Sequence, residues 1–235
     1  CPIYYVEPQH FKEWLQQRST NEKNWLEQTD FQPKPSQMSL LPGEFGSIKG
    51  VVFIAPETFS LKSCTGLVEN LPLQTYHLDT SWPAQAKYFA TLAWCLGSYQ
   101  FTRYKPSDKK FPFLVYEEEG REIPAIAGAI YLVRDLINTP CEDMGPAALY
   151  EAVKTVGLTY GARVSQIVGQ ALIAQNFPLI HAVGRAGSQE PRLIELNWGE
   201  QYPYKVTLVG KGVCFDTGGL DIKGAQYMQT MKKDM

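Results

Sequence analysis

The chain has 235 residues, which is enough for one large domain or two smaller ones with a buried core. Its 22 Lys and Arg against 24 Asp and Glu give a net charge of -2, and 44% hydrophobic with 20% charged residues is an ordinary globular balance, which excludes disorder for most of the chain. The lack of a basic excess disfavours nucleic acid as a partner, and the apolar runs fall far short of the roughly 20 residues that span a bilayer, so we expect a soluble protein without a membrane segment.

The first half of the sequence alternates between helix and strand patterns. Apolar residues at helical spacing predict one or two short surface helices within 8–28 and a longer helix within 83–101. Pro and Gly residues between 33 and 43 indicate a loop. Short apolar runs, of which the first is typical of a strand buried on both faces, predict strands over 50–55, 75–78 and 113–116.

An acidic stretch at 117–120 then indicates an exposed break between two domains. Beyond it, Ile, Val and Ala residues at steps of three and four predict a long helix over 123–137. We therefore expect an N-terminal α/β domain over 1–120, a connecting helix over 121–140 and part of a second domain over 141–235.

The second domain shows the same alternation. Helix patterns occur at 146–160 and near Phe177. Strand patterns cover 163–168, 193–197 and 205–209. The whole chain is thus predicted to be an α/β protein whose second domain has a mixed or parallel sheet.

Cysteine and histidine usage bears on the compartment and on metal sites. The 5 cysteines are odd in number, scattered and never arranged as C-x-x-C, which indicates reduced thiols and a cytoplasmic protein. The 3 histidines are far apart and form no H-E-x-x-H pair, so a histidine-based zinc site is not expected.

The densest chemistry lies near the end of the sequence, directly after the predicted strand over 205–209. Two lysines and two aspartates, Lys211, Asp216, Lys223 and Asp234, stand in a glycine-rich frame. The spacing fits neither a Walker A loop nor a dinucleotide fingerprint. Carboxylates at the carboxyl end of a strand suit hard divalent cations, and one aspartate can bridge a pair of them.

The same segment resembles the core of the leucyl aminopeptidase (cytosol aminopeptidase) family. The motif is Val209-Gly-Lys211-Gly-x-x-Phe215-Asp216-Thr-Gly-Gly219-x-x-x-Lys223, followed by Met231-Lys-x-Asp234-Met235. Upstream, Asn138-Thr-Pro140 and Val183-Gly-Arg-Ala-Gly187 are also similar to family segments. The resemblance implies a metallo-exopeptidase catalytic domain in the C-terminal part of the chain.

This resemblance implies a role for each of five residues. Lys211, Asp216 and Asp234 would be metal ligands, with Asp216 between two divalent ions. Lys223 would stay cationic and stabilise the oxyanion of the peptide carbonyl, whereas a ligating Lys211 must be a neutral amine. Met231 would line the pocket for the first side chain of the substrate.

The resemblance also implies cofactors and partners. Two divalent ions, Mn²⁺ or Zn²⁺, would activate a water molecule that attacks peptides at their N-terminus, with a leucine-like residue preferred and bicarbonate as a proton shuttle. A homohexamer is implied. The further family ligands would lie beyond Asp234, so we expect these 235 residues to be a piece of a longer enzyme and to be inactive alone.

Other interpretations stay open at the level of sequence. Isolated aspartates and lysines are usually solvated, and Met231 beside Met228 and Met235 could fill a core instead of a substrate pocket. The chain could be a catalytically incomplete module that serves assembly or DNA binding. A dinuclear phosphoesterase would share the carboxylate ligands but does not call for a ligating lysine.

Overall fold

The computed structural model of the protein describes residues 1–116, 122–199, 203–214 and 224–228. The chain divides into two compact units, Cys1–Leu132 and Val133–Met235. The fold is α/β with a mixed parallel and antiparallel sheet in the first unit, which confirms the predicted fold class. Among the described residues, no helix combines the length and the hydrophobicity needed to cross a bilayer.

The first unit is built on a five-stranded sheet. In chain order its strands are β1 (Pro2–Val6), β2 (Met38–Pro42), β3 (Ile48–Ile54), β4 (Thr75–Leu78) and β5 (Phe113–Val115). The spatial order is β2-β3-β1-β4-β5, and all neighbours are parallel except the antiparallel pair β2 and β3. Its helices are α1 (Phe11–Gln16), α2 (Thr20–Gln28), α3 (Thr65–Asn70) and α4 (Ala84–Gly97).

Helices cover both faces of this sheet. On one face, α3 and α4 pack against Ile3, Phe53 and Tyr76, each at most 2% exposed. On the other face, Phe11 of α1 and Leu26 of α2 pack against Val6, Val52 and Ile54. The predicted surface helices within 8–28 are thus confirmed, and their apolar residues form the second half of the core.

The second unit contains an antiparallel pair, β6 (Arg163–Val168) and β7 (Arg192–Asn197). Its helices are α6 (Pro146–Tyr160), α7 (Gln170–Ala174), α8 (Pro178–Gly184) and α9 (Ala225–Met228), and α5 (Ile123–Asn138) crosses the boundary between the units. Helix α6 starts at a proline and ends at Gly161, whose φ of 68° places it in the left-handed region that glycine tolerates.

Helix α6 has an N-terminal cap that comes from a distant side chain. The N-cap residue Gly145 has no side chain to offer, and Pro146 lacks an N–H. The Ala147 N–H instead donates to Oε1 of Gln189 at 3.3 Å. The loop before β7 therefore supplies an acceptor for one N–H of the first turn of α6.

Two predictions of secondary structure are wrong. The strand predicted over 205–209 is absent, because this segment has no regular structure and pairs with none of the described strands. Its side chains are not buried either, since Val206, Leu208 and Val209 are 83%, 91% and 93% exposed. The Pro and Gly residues at 33–43 predict a loop, yet the end of this segment forms edge strand β2, where a proline is tolerated at the strand's end.

Candidate active site

One of the five predicted site residues, Lys211, lies in the described part of the chain. Asp216, Lys223, Met231 and Asp234 lie outside the described residues. The segment 203–214, which leads into the motif, is described.

Lys211 is exposed and stands between two glycines. A Cβ at Gly210 would meet no atom within 4 Å, whereas one at Gly212 would lie 3.2 Å from Cδ2 of Leu149. The backbone at Gly212 thus passes close to α6, and a larger residue there would press on that helix. Two residues further on, Cys214 is buried, with its Sγ 3.9 Å from the Gly212 carbonyl oxygen. The segment is therefore seated on the second unit immediately after Lys211.

The donor set of the motif fits a divalent cation by its chemistry. Carboxylates are hard ligands, and an amine adds a nitrogen donor of the kind that Zn²⁺ and other first-row metals accept. Lys211, the one residue of this donor set that the structure describes, is exposed. Within the described ranges, no group of three or more His, Cys, Asp or Glu side chains could hold a metal ion.

A second feature of this unit was not predicted from the sequence. Helix α8 and the loop between α8 and β7 line an open cavity, and its lining includes the exposed residues Arg185 and Glu190. The signal in the sequence is the run at 184–187, which begins and ends with glycine. Which polar side chains such a run gathers depends on the fold and is not encoded in local spacing.

Comparison with protein-family models matches almost the whole chain. Residues 131–235 match "Cytosol aminopeptidase family, catalytic domain", and residues 1–116 match "M17 aminopeptidase, N-terminal domain". A curated relative from Roseiflexus castenholzii, named "Probable cytosol aminopeptidase", is 36% identical over 157 residues, which are 60% of this chain and 32% of the relative. The chain thus contains matches to the N-terminal domain and to the catalytic domain of one family, in that order along the sequence.

Solved structures agree with this comparison. The crystal structure of cytosol aminopeptidase from Coxiella burnetii matches with a TM-score of 0.91 and 38% identity, and covers 100% of this chain and 52% of that one. The bottromycin maturation enzyme BotP in complex with Mn matches with a TM-score of 0.73 at 24% identity over 99% of this chain and 51% of BotP, which shows a shared fold. The chain thus spans about half the length of these solved relatives.

Proposed function

Since the chain belongs to the cytosol aminopeptidase (M17) family, we propose that the protein is a metal-dependent aminopeptidase that releases N-terminal amino acids from peptides, with leucine-like residues preferred. The observation that carries this proposal is the match of the family's catalytic domain to residues 131–235. That range includes all five motif residues, from Lys211 to Asp234. The similarity to the Coxiella burnetii cytosol aminopeptidase over the full length of the chain supports it further.

We assign the metal site to Lys211, Asp216 and Asp234, on the strength of the motif they share with the family. The amine and the two carboxylates would hold two divalent ions, Mn²⁺ or Zn²⁺, with Asp216 between them. When bound, such ions supply an acidified water and an anchor for the free amino group of a peptide. Lys211 takes part as a neutral amine, because an ammonium group has no lone pair to donate.

Two residues of the motif act on the peptide itself. Lys223 keeps its proton and donates a hydrogen bond to the carbonyl oxygen, which gains negative charge as the carbonyl becomes tetrahedral. This stabilisation is stronger in the transition state than in the bound substrate, so it raises the turnover number. Met231 offers an adaptable apolar surface to the first side chain of the peptide. The two lysines thus serve in opposite protonation states.

Location, assembly and a further cofactor follow from the same family. The relatives are named cytosol aminopeptidases, and none of the five cysteines, all of which are described, forms a disulfide, which supports a cytoplasmic location. A homohexamer and bicarbonate as a proton shuttle are likewise proposed on family resemblance. Peptides are the proposed substrates.

The test is hydrolysis of leucine anilide by the protein as its gene encodes it, with metal content measured in parallel. We expect activity that chelation abolishes and that Mn²⁺ or Zn²⁺ restores. Asp216→Ala should lose both metal and turnover, and Lys223→Ala should lose turnover but keep its metal. Lys205→Ala removes an exposed lysine from the same segment and is the matched control.

The contrary outcomes point to different functions. Unchanged metal content and turnover in both variants would refute the assigned roles. Hydrolysis of a phosphate ester instead of the anilide would indicate a dinuclear phosphoesterase. Absence of both activities in a folded protein would indicate an interaction module.

A further inference from the structure

The second unit contains a cavity of about 470 Å³. Its wall is formed by the turn at Gly169 and Gln170, by the last turns of α8 and by the loop 187–191. The volume lies within the roughly 300–1,000 Å³ in which proteins hold small molecules. Lys211, the one proposed metal ligand that the structure describes, does not line it.

The wall of this cavity is fixed by backbone contacts. The Gly169 N–H donates to the Pro191 carbonyl oxygen at 3.0 Å, which joins the two sides. Any side chain at Gly184 would collide with the Pro191 ring, whereas at Gly169 a Cβ would meet only the flexible end of the Glu190 side chain. Gln189 holds the loop to the first turn of α6 through the bond to Ala147. The loop is thus tied at both of its sides, which favours a preformed site.

The cavity presents a cation and an anion that do not neutralise each other. Arg185 caps the C-terminus of α8, and His181 lies one turn earlier on the same helix, so both can face the cavity they line. Glu190 lines it from the loop. Among the described residues, Arg185 and Glu190 form no ion pair with each other or with another side chain. Each is therefore available to a charged group of a ligand.

Uncharged polar groups complete the lining. Ser188 and Gln170 also face the cavity, and Nε2 of Gln170 lies 3.5 Å from Nε2 of His181. These side chains offer both donors and acceptors. A purely anionic ligand would be repelled by Glu190, and a purely cationic ligand by Arg185. A ligand with both charges satisfies both side chains.

We propose that this cavity binds a small zwitterion of the α-amino acid class, with its carboxylate on Arg185 and His181 and its ammonium group on Glu190. Guanidinium and carboxylate form bidentate, charge-assisted hydrogen bonds, and an ammonium group donates in the same way to a carboxylate. The proposal goes beyond the proposed aminopeptidase function and does not depend on it. It concerns binding, so it can be tested without catalysis.

The probe is free leucine, added to the 235-residue chain and followed by NMR of backbone amides and by calorimetry. Two analogues each lack one charge: 3-methylbutylamine has no carboxylate, and 4-methylpentanoate has no ammonium group. We expect shifts centred on Gly169, Gly184 and Gly187, an unchanged affinity in the presence of a chelator, and about tenfold weaker binding of each analogue. Equal binding of all three compounds, or no binding of leucine, overturns the proposal.

Variants locate the site. Arg185→Gln and Glu190→Gln should each weaken leucine binding about tenfold. Lys154→Gln and Glu151→Gln make the same charge changes at an exposed pair on α6, 3.2 Å apart, and should leave the affinity unchanged. Leucine binding that is insensitive to Arg185→Gln and Glu190→Gln places the ligand elsewhere and overturns the proposal. Loss of peptidase activity in the whole protein with leucine binding intact would refute only the proposed function.

Discussion

The buried carboxylate of Glu22 accepts two hydrogen bonds from Ser19, at 2.8 Å from its backbone nitrogen and at 2.7 Å from its hydroxyl oxygen. The Glu22 N–H donates back to the Ser19 hydroxyl at 3.3 Å, which completes a capping box at the start of α2. Nζ of Lys49 lies 3.7 Å from the same carboxylate. Burial alone raises the pKa of Glu22, but the Ser19 bonds and the charges of Lys49 and Arg18 together outweigh it and lower the pKa.

This arrangement predicts a pH-dependent stability. Because the folded pKa of Glu22 is below its ordinary value of 4.5, the carboxylate stabilises the fold above that pH and loses this effect as pH falls through the folded pKa. Glu22→Gln should lower the free energy of unfolding at neutral pH by about 1–3 kcal/mol, with a smaller difference in acid. Urea unfolding at several pH values measures this. Glu27→Gln, at an exposed position of the same helix, should change little, and an equal effect of both variants contradicts the prediction.

Two helical glycines should respond in opposite directions to alanine. A Cβ at Gly157 of α6 would collide with the stiff side chain of Val164 on β6, so Gly157→Ala should destabilise by about 1–3 kcal/mol. A Cβ at Gly128 of α5 meets nothing within 4 Å, so Gly128→Ala should stabilise by about 0.5–1 kcal/mol. Thermal and urea unfolding of the two variants decide this. A gain in stability from Gly157→Ala would mean that α6 does not pack on β6 as described.

Trp82 should contribute more to the stability of the fold than the exposed Trp25. Its indole N–H donates to the Ile3 carbonyl oxygen at 2.7 Å, and its ring stacks on Phe53 with centroids 5.4 Å apart. Trp82→Phe removes the hydrogen bond and leaves a gap, at a cost of about 1–3 kcal/mol. Trp25, which is 41% exposed, provides the control substitution Trp25→Phe. Comparable unfolding midpoints for the two variants would contradict the hydrogen bond and the ring stacking described for Trp82.

The cysteines should differ in reactivity. Burial raises the pKa of the Cys64 thiol to about 12, so it forms almost no thiolate near neutral pH. Cys141 is exposed. In the native protein iodoacetamide should modify Cys141 first, and Cys64 only after unfolding in urea, as peptide mass spectrometry would show. Equal labelling rates in the native state would place Cys64 at the surface.

Strongly periodic segments were predictable from the sequence, whereas elements defined by their neighbours were not. The helix within 83–101 and the strand over 163–168 are confirmed as Ala84–Gly97 and Arg163–Val168, because their apolar pattern is local. Strand β1, which was not predicted, lies at the centre of its sheet only because β3 and β4 pair with it. The run at 205–209 has the composition of a strand but pairs with no described strand, and hydrophobicity alone cannot supply a hydrogen-bonding partner.

The candidate site likewise has a part that can be recognised in the sequence, and the second unit has a cavity that cannot. The motif that contains Lys211, Asp216 and Asp234 can be recognised in the sequence because it lies in one short segment. Its resemblance to the family implies that these three residues are metal ligands, and this assignment stays a prediction. The cavity at Arg185 and Glu190 could not be predicted, because its walls come from α7, α8 and the following loop, which only the fold brings together. In the sequence, Arg185 and Glu190 are two ordinary charged residues. Only their position on one cavity suggests that they bind a ligand.

The bond from Ala147 to Gln189 joins positions 42 residues apart, so the start of α6 is completed late in biosynthesis. When α6 has just been synthesised, Gln189, whose side chain accepts from the first turn of this helix, is not yet part of the chain. Until Gln189 emerges, the Ala147 N–H lacks this side-chain acceptor, although the Gly145 carbonyl oxygen can already accept from the Leu149 N–H, as it does at 3.0 Å in the structure. The side-chain cap of α6 can therefore form only after the loop before β7 has been synthesised.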